Sequence, residues 1–167
     1  VAEWDTTGNM IKGLVKRLIP IGYQPKTYNN VVYAINKTDS SFVYSYKGLP
    51  LIFLSKKDEN YVINLLPEQR LNEFNVPLDL KPETSGISVN NMIRDIYIVG
   101  DKIFVSLLTE LYVIDIERRE ITRRFTFTRD DGTEIKFHMF KATENRLYVV
   151  DQYHNDIYLV PINKLLD

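Results

Sequence analysis

The sequence contains no cysteine in 167 residues. That excludes disulfides, thiolate nucleophiles and zinc centres built on sulfur, and it leaves the compartment open. Long apolar runs are missing too: no stretch of about 18 uncharged apolar residues occurs, so no helical membrane span is encoded. Neither sign of charge dominates, with Lys+Arg 21 against Asp+Glu 22 and a net charge of −1. A dedicated nucleic-acid binder would normally be basic. The 7 glycines are scattered singly, so no phosphate-cradling loop can be assembled. Val1-Ala2-Glu3-Trp4-Asp5 lacks a charged n-region, an apolar h-region and a starting Met, so no signal peptide is legible and the chain reads as processed or partial.

Apolar and aromatic residues are plentiful, at 44% and 12%. A chain of this length folds as one domain, 1–167, and buries about 70% of its extended surface. Short runs rich in Val, Ile, Tyr and Phe recur between Asn, Asp, Gly and Lys clusters: 31–35, 42–46, 51–54, 61–66, 96–99, 103–108, 111–116, 147–150 and 157–160. Each is too short for a typical helix and the right length for a strand. Several are apolar without alternation, which predicts sheets covered on both faces. Met10, Ile11, Leu14, Val15 and Leu18 fall at helical spacing, but Gly13 and Pro20 weaken a helix there.

The chain repeats itself. Residues 52–65 align without gaps on residues 103–116, with seven of fourteen positions identical and a period of 51. A third copy starts at Leu147-Tyr148-Val149-Val150, 44 residues after Ile103, and a weaker fourth at Val32-Tyr33-Ala34-Ile35 with Phe42-Val43-Tyr44. An all-strand period of this size predicts an all-β, propeller-like fold of four-stranded antiparallel blades. A lone sheet would expose two apolar faces, and stacking blades buries both. One blade is predicted as 93–99, 102–108, 110–116 and 121–128, and the next as 135–141, 146–150 and 156–162, without a fourth strand.

Tyr148-Val149-Val150-Asp151-Gln152-Tyr153-His154-Asn155-Asp156-Ile157 resembles the NHL-type propeller repeat, whose second and third strands read Tyr-Val-x-Asp-x-x-x-Asn-x-Ile. The resemblance implies the six-bladed type of ring, of which this chain supplies about three blades. Asp151 and Asn155 are expected to bond the backbone of a tight turn. Residues 67–91, with Pro67, Pro77, Pro82 and Ser85-Gly86, break the pattern and read as an irregular insert. Trp4 to Ile11 resembles the end of a third strand, a turn and the start of a fourth. Either the stretch 10–18 completes the C-terminal blade, or the ring is incomplete in this chain; the second is expected, because four blades would need more residues. A protein partner or a second copy would then close the ring at the terminal blades.

Candidate chemistry is sparse. His138, beside Phe137, Met139 and Phe140 on a predicted inner strand, is the one catalytic candidate, although a packed histidine explains it as well. His154 lies in a turn between Asp151 and Asp156. Asp130-Asp131-Gly132 is a turn rather than a calcium loop. No cofactor and no metal site can be assembled, and no elbow nucleophile is present. Arg118, Arg119, Arg123, Arg124 and Arg129 cluster about one outer strand, where charge guards an edge or meets an anionic partner. The sequon Asn36-Lys37-Thr38 falls in a predicted hairpin turn and points outward from the cytoplasm. The reading is therefore a non-enzymatic, extracytoplasmic recognition or scaffold module. It binds a protein or glycan through inter-blade loops, with Arg118, Arg119, Arg123, Arg124, Tyr153 and His154 as binding residues. A hydrolase or lyase using an axial channel, and an RNA-binding propeller using the arginines, are the alternatives.

Overall fold

The computed structural model describes residues 2–4, 10–13, 30–56, 59–66, 92–151, 153–154 and 156–166, with backbone alone at 2–4, 10–13 and 138. Among the described residues thirteen strands follow one another: β1 (Ala2–Trp4), β2 (Met10–Gly13), β3 (Val31–Ile35), β4 (Phe42–Tyr46), β5 (Leu51–Lys56), β6 (Glu59–Asn64), β7 (Ile93–Val99), β8 (Lys102–Leu107), β9 (Glu110–Asp115), β10 (Glu120–Phe125), β11 (Phe137–Ala142), β12 (Arg146–Asp151) and β13 (Ile157–Pro161). A four-residue helix, α1 (Asn163–Leu166), follows.

From β3 onward, strands consecutive within a sheet pair antiparallel through short turns, giving sheets β3-β4-β5-β6, β7-β8-β9-β10 and β11-β12-β13. The first strands of the three sheets lie side by side, β3 against β7 and β7 against β11. This is the arrangement of consecutive propeller blades, called here blades one, two and three. The fold is all-β and propeller-like, as the repeats predicted. Strand β1 pairs with β2 in a separate two-stranded sheet. The Met10–Gly13 stretch is thus extended, and among the described residues it joins β1 rather than β13. Residues 14–18 and the insert at 67–91 lie outside the described residues.

The two-residue period of the strands decides which core cluster each side chain enters. On blade two, Ile103, Val105, Tyr112 and Ile114 enter one core cluster with Val43, Ile52, Leu54 and Ile63 of blade one. Alternate residues Phe104, Leu111 and Val113 enter a second cluster with Phe137, Phe140, Leu147 and Val149 of blade three. Both faces of blade two are covered, which is why Ile103–Val105 of β8 and Leu111–Ile114 of β9 are apolar without alternation. The face of blade one turned away from blade two is aromatic, with Tyr44 stacked on Phe53 at 4.9 Å.

The structure revises the phase of the repeat. The gapless fourteen-residue match, at a period of 51, sets β5-β6 of blade one on β8-β9 of blade two, that is, third and fourth strands on second and third. The 32–35 and 42–44 segments are likewise the inner pair of the same blade as β5-β6, not a separate copy. Burial shows the difference: Val62 on the outer strand is 61% exposed, whereas its match Val113 is fully buried. What repeats in sequence is the hairpin; what repeats in space is the blade.

Candidate recognition surface at the blade turns

The inner strands β3, β7 and β11 end at the same side of the sheets, and their turns surround a cleft of about 310 Å³. Asn36, Lys37 and Thr38 come from blade one, Gly100 from blade two, and Thr143 and Glu144 from blade three. Local chemistry fixes each turn. Asn36 Oδ1 accepts the Thr38 N–H at 3.0 Å, and Asn36 Nδ2 donates to the Gly100 carbonyl at 3.3 Å, joining two blades. Gly100 sits at φ +60°, a conformation that favours glycine. Thr143 Oγ1 both accepts the Arg146 N–H and donates to its carbonyl, at 3.2 Å each. The sequon therefore lies in a turn, as its sequence predicts, and that turn is the lip of the cleft.

Charges at this end pair both within and between blades. Lys56 pairs with Glu117 across the blades and lies 3.7 Å from Asp39. The Ser41 hydroxyl and N–H, donating to Asp39, hold its carboxyl below the usual range. Asp115 is buried, and Lys102 reaches it at 2.9 Å. The Arg118 N–H first, and then Lys102, lower the Asp115 carboxyl.

Each of the predicted binding arginines has a partner within the chain. Arg118 lies 3.8 Å from Glu120, Arg119 lies 3.6 Å from Glu59, and Arg124 bonds Glu110 at 2.6 Å. The Arg119 guanidinium also sits 3.6 Å above the Tyr61 ring on blade one. Arg123 donates to the Leu166 carbonyl of α1 at 3.4 Å. Arg119 and Arg123 thus reach from blade two to its neighbours, whereas Arg118 and Arg124 pair within blade two. Arg129, by contrast, belongs to a node at the far end of blade three. It pairs with buried Asp151, donates from Nε to the Tyr158 hydroxyl at 3.1 Å, and meets His154 Nδ1.

Asp151 is the turn-former expected of it, accepting the Tyr153 N–H at 2.8 Å; this bond leads the causes that lower its carboxyl. Tyr153 and His154 are exposed there, at the opposite end of the blades from Arg118 and Arg119. Asn155 lies outside the described residues. His138 sits on inner strand β11, at a register shift between Phe137 and Met139. The Asp130-Asp131-Gly132 segment is a turn: Asp131 accepts the Thr133 N–H at 2.8 Å, and Gly132 takes φ +84°. Lys37 was legible only as the middle of the sequon, and Thr143 and Glu144 not at all, because nothing in the chain announces that three distant turns meet.

Among the described residues no helix is long and apolar enough to cross a membrane, and no group of three or more His, Asp or Glu is placed to hold a metal ion. No family model matches the chain, and no curated protein matches it. Solved structures are similar in part. A chain of the S. cerevisiae Dbp5 complex with Nup159, Gle1, IP6 and ADP aligns over 79% of this chain at 21% identity, with a TM-score of 0.45. The N-terminal domain of Nup159 aligns over 77% at 16% identity, with a TM-score of 0.41. The alignments span 30% and 33% of those two chains, about a third of their length.

Proposed function

We propose that this chain is a non-enzymatic recognition module that binds a protein partner through the turns gathered around the inner-strand cleft. One observation carries the reading: three blades place their first turns about one cleft, with the exposed side chains of Lys37 and Glu144 among its lining residues. Loops held on a rigid β-scaffold are where binding residues concentrate. A cation, a carboxylate, a hydroxyl and an amide around about 310 Å³ suit a polar side chain or chain segment of a partner. A glycan is the other ligand such groups would take. The NHL-type resemblance at 148–157 supports a place among non-catalytic propellers. The carboxylates and carbonyl holding the rim arginines count against an RNA-binding surface, and the axial-enzyme alternative keeps only the backbone position of His138.

The test is to screen the chain against immobilised peptide and glycan libraries and measure the best binder by calorimetry. Lys37→Glu and Glu144→Lys are each expected to weaken it by about tenfold or more, equal to about 1.4 kcal/mol, while Arg124→Ala leaves it unchanged. Equal affinity in all three variants would reject the cleft as the site. Turnover of a substrate that disappears in His138→Ala would reject the non-enzymatic reading.

A further inference from the structure

The outer edges of the three sheets are not alike. Strand β6 carries Glu59, Asn60 and Asn64, and β10 carries Glu120, Arg123 and Arg124 with a register shift at its centre. Charges and irregularities of this kind stop one edge from pairing with another. Strand β13 reads Ile-Tyr-Leu-Val-Pro, without a charge and without a register shift against β12. Among the described residues it pairs on one side only.

The hydrogen-bond phase shows which groups face that edge. Asp151 N–H donates to the Asp156 carbonyl at 2.9 Å, and Ile162 N–H to the Asn145 carbonyl at 3.0 Å. Bonded pairs recur at every second residue of an antiparallel ladder. Tyr158 and Val160 therefore turn their backbone groups to β12, and Ile157 and Leu159 turn theirs outward. Pro161, the next outward position, has no N–H to offer. The Ile157 and Leu159 side chains are 67% and 50% exposed. Tyr148 and Val150 lie beside them on β12, and Met139, 48% exposed, continues the same face on β11.

We propose that this edge pairs with β13 of a second copy of the chain, antiparallel across a two-fold axis through Tyr158. The register is self-complementary. Ile157 meets Leu159 of the second copy and Leu159 meets its Ile157, so both outward residues of each strand exchange N–H and carbonyl bonds. Asp156 falls opposite Val160, so no like charges oppose one another, a pairing that would be destabilising. The contact is isologous and closes at two copies, and it doubles the apolar patch around Ile157 and Leu159. A second copy is favoured over an unrelated strand because one short, uncharged segment supplies both halves of the match. The inference stands apart from the cleft reading and uses none of its residues.

Sedimentation velocity across a dilution series, with amide exchange of Ile157 and Leu159, decides it. The expected result is a reversible dimer whose formation slows exchange at those two amides. Leu159→Lys raises the dissociation constant by about tenfold or more. Leu159→Pro does the same with an unchanged circular dichroism spectrum, because the lost N–H points away from β12. A monomer at the highest soluble concentration would overturn the proposal, as would slow exchange at both amides in the monomer. So would an association that both Leu159 variants leave intact, including one broken instead by Val62→Lys on blade one.

Discussion

Arg119 occupies φ +61°, a conformation L side chains rarely adopt. Its N–H bonds the Asp115 carbonyl at 2.8 Å while its guanidinium rests on Tyr61. Replacing it with alanine keeps the strain and loses the stacking, and should cost about 1 kcal/mol. Arg119→Gly loses the same contact but relieves about 1 kcal/mol of left-handed strain, so its stability should lie near the parent's. Urea unfolding of both variants reads the difference, and equal losses would refute the assignment. Asp39, Asp115 and Asp151 are all lowered from the ordinary aspartate value of 3.8 by hydrogen bonds to their carboxylates. A carboxyl lowered on folding stabilises the fold above its unfolded value, and that stabilisation is lost as pH falls through the folded value. The urea midpoint should thus be nearly flat from about pH 7 to about pH 5 and fall below about pH 4. Asp115→Asn should cost about 1 to 2 kcal/mol at neutral pH and shrink the acid-side fall. A midpoint that rises on acidification would contradict the account. Turn-forming residues such as Asp151 and Asp131 were legible because their partners lie two residues away. The partners of the arginines, Glu59 and Glu110 among them, were not, because folding brings them together from distant positions.

Strand positions were nearly all readable from local pattern, and β3 and β4 match their predicted limits. Alternation, β-branched content and turn residues are local properties, so the sequence displays them directly. The phase of the blade was not readable. Inner strands β3, β7 and β11 read Val-Val-Tyr-Ala-Ile, Ile-Arg-Asp-Ile-Tyr-Ile-Val and Phe-His-Met-Phe-Lys-Ala, with no shared signature. The strongest self-match therefore fell on hairpins one strand out of step. Position in the blade, not residue identity, should decide the cost of a substitution. Val113→Ala removes buried apolar volume between blades and should cost about 2 kcal/mol. Val62→Ala, in the matching sequence position on an exposed outer strand, should cost less than about 0.5 kcal/mol. Equal costs in thermal unfolding would mean that the 51-residue repeat does mark equivalent strands.

For the whole molecule, the composition already required covered sheets, and two clusters provide the cover, one on each face of blade two. The cleft was not legible, because it exists only where three inner strands end together. The central claim is that blade two lies between blades one and three, with the inner strands adjacent. Methyl and aromatic nuclear Overhauser contacts from blade two test it most directly. The account predicts contacts from Ile103, Val105 and Ile114 into the Val43, Ile52 and Leu54 group, and from Phe104 and Val113 into the Phe140, Leu147 and Val149 group. Contacts on one face alone, or contacts joining the Ile52 and Val149 groups directly, would contradict it.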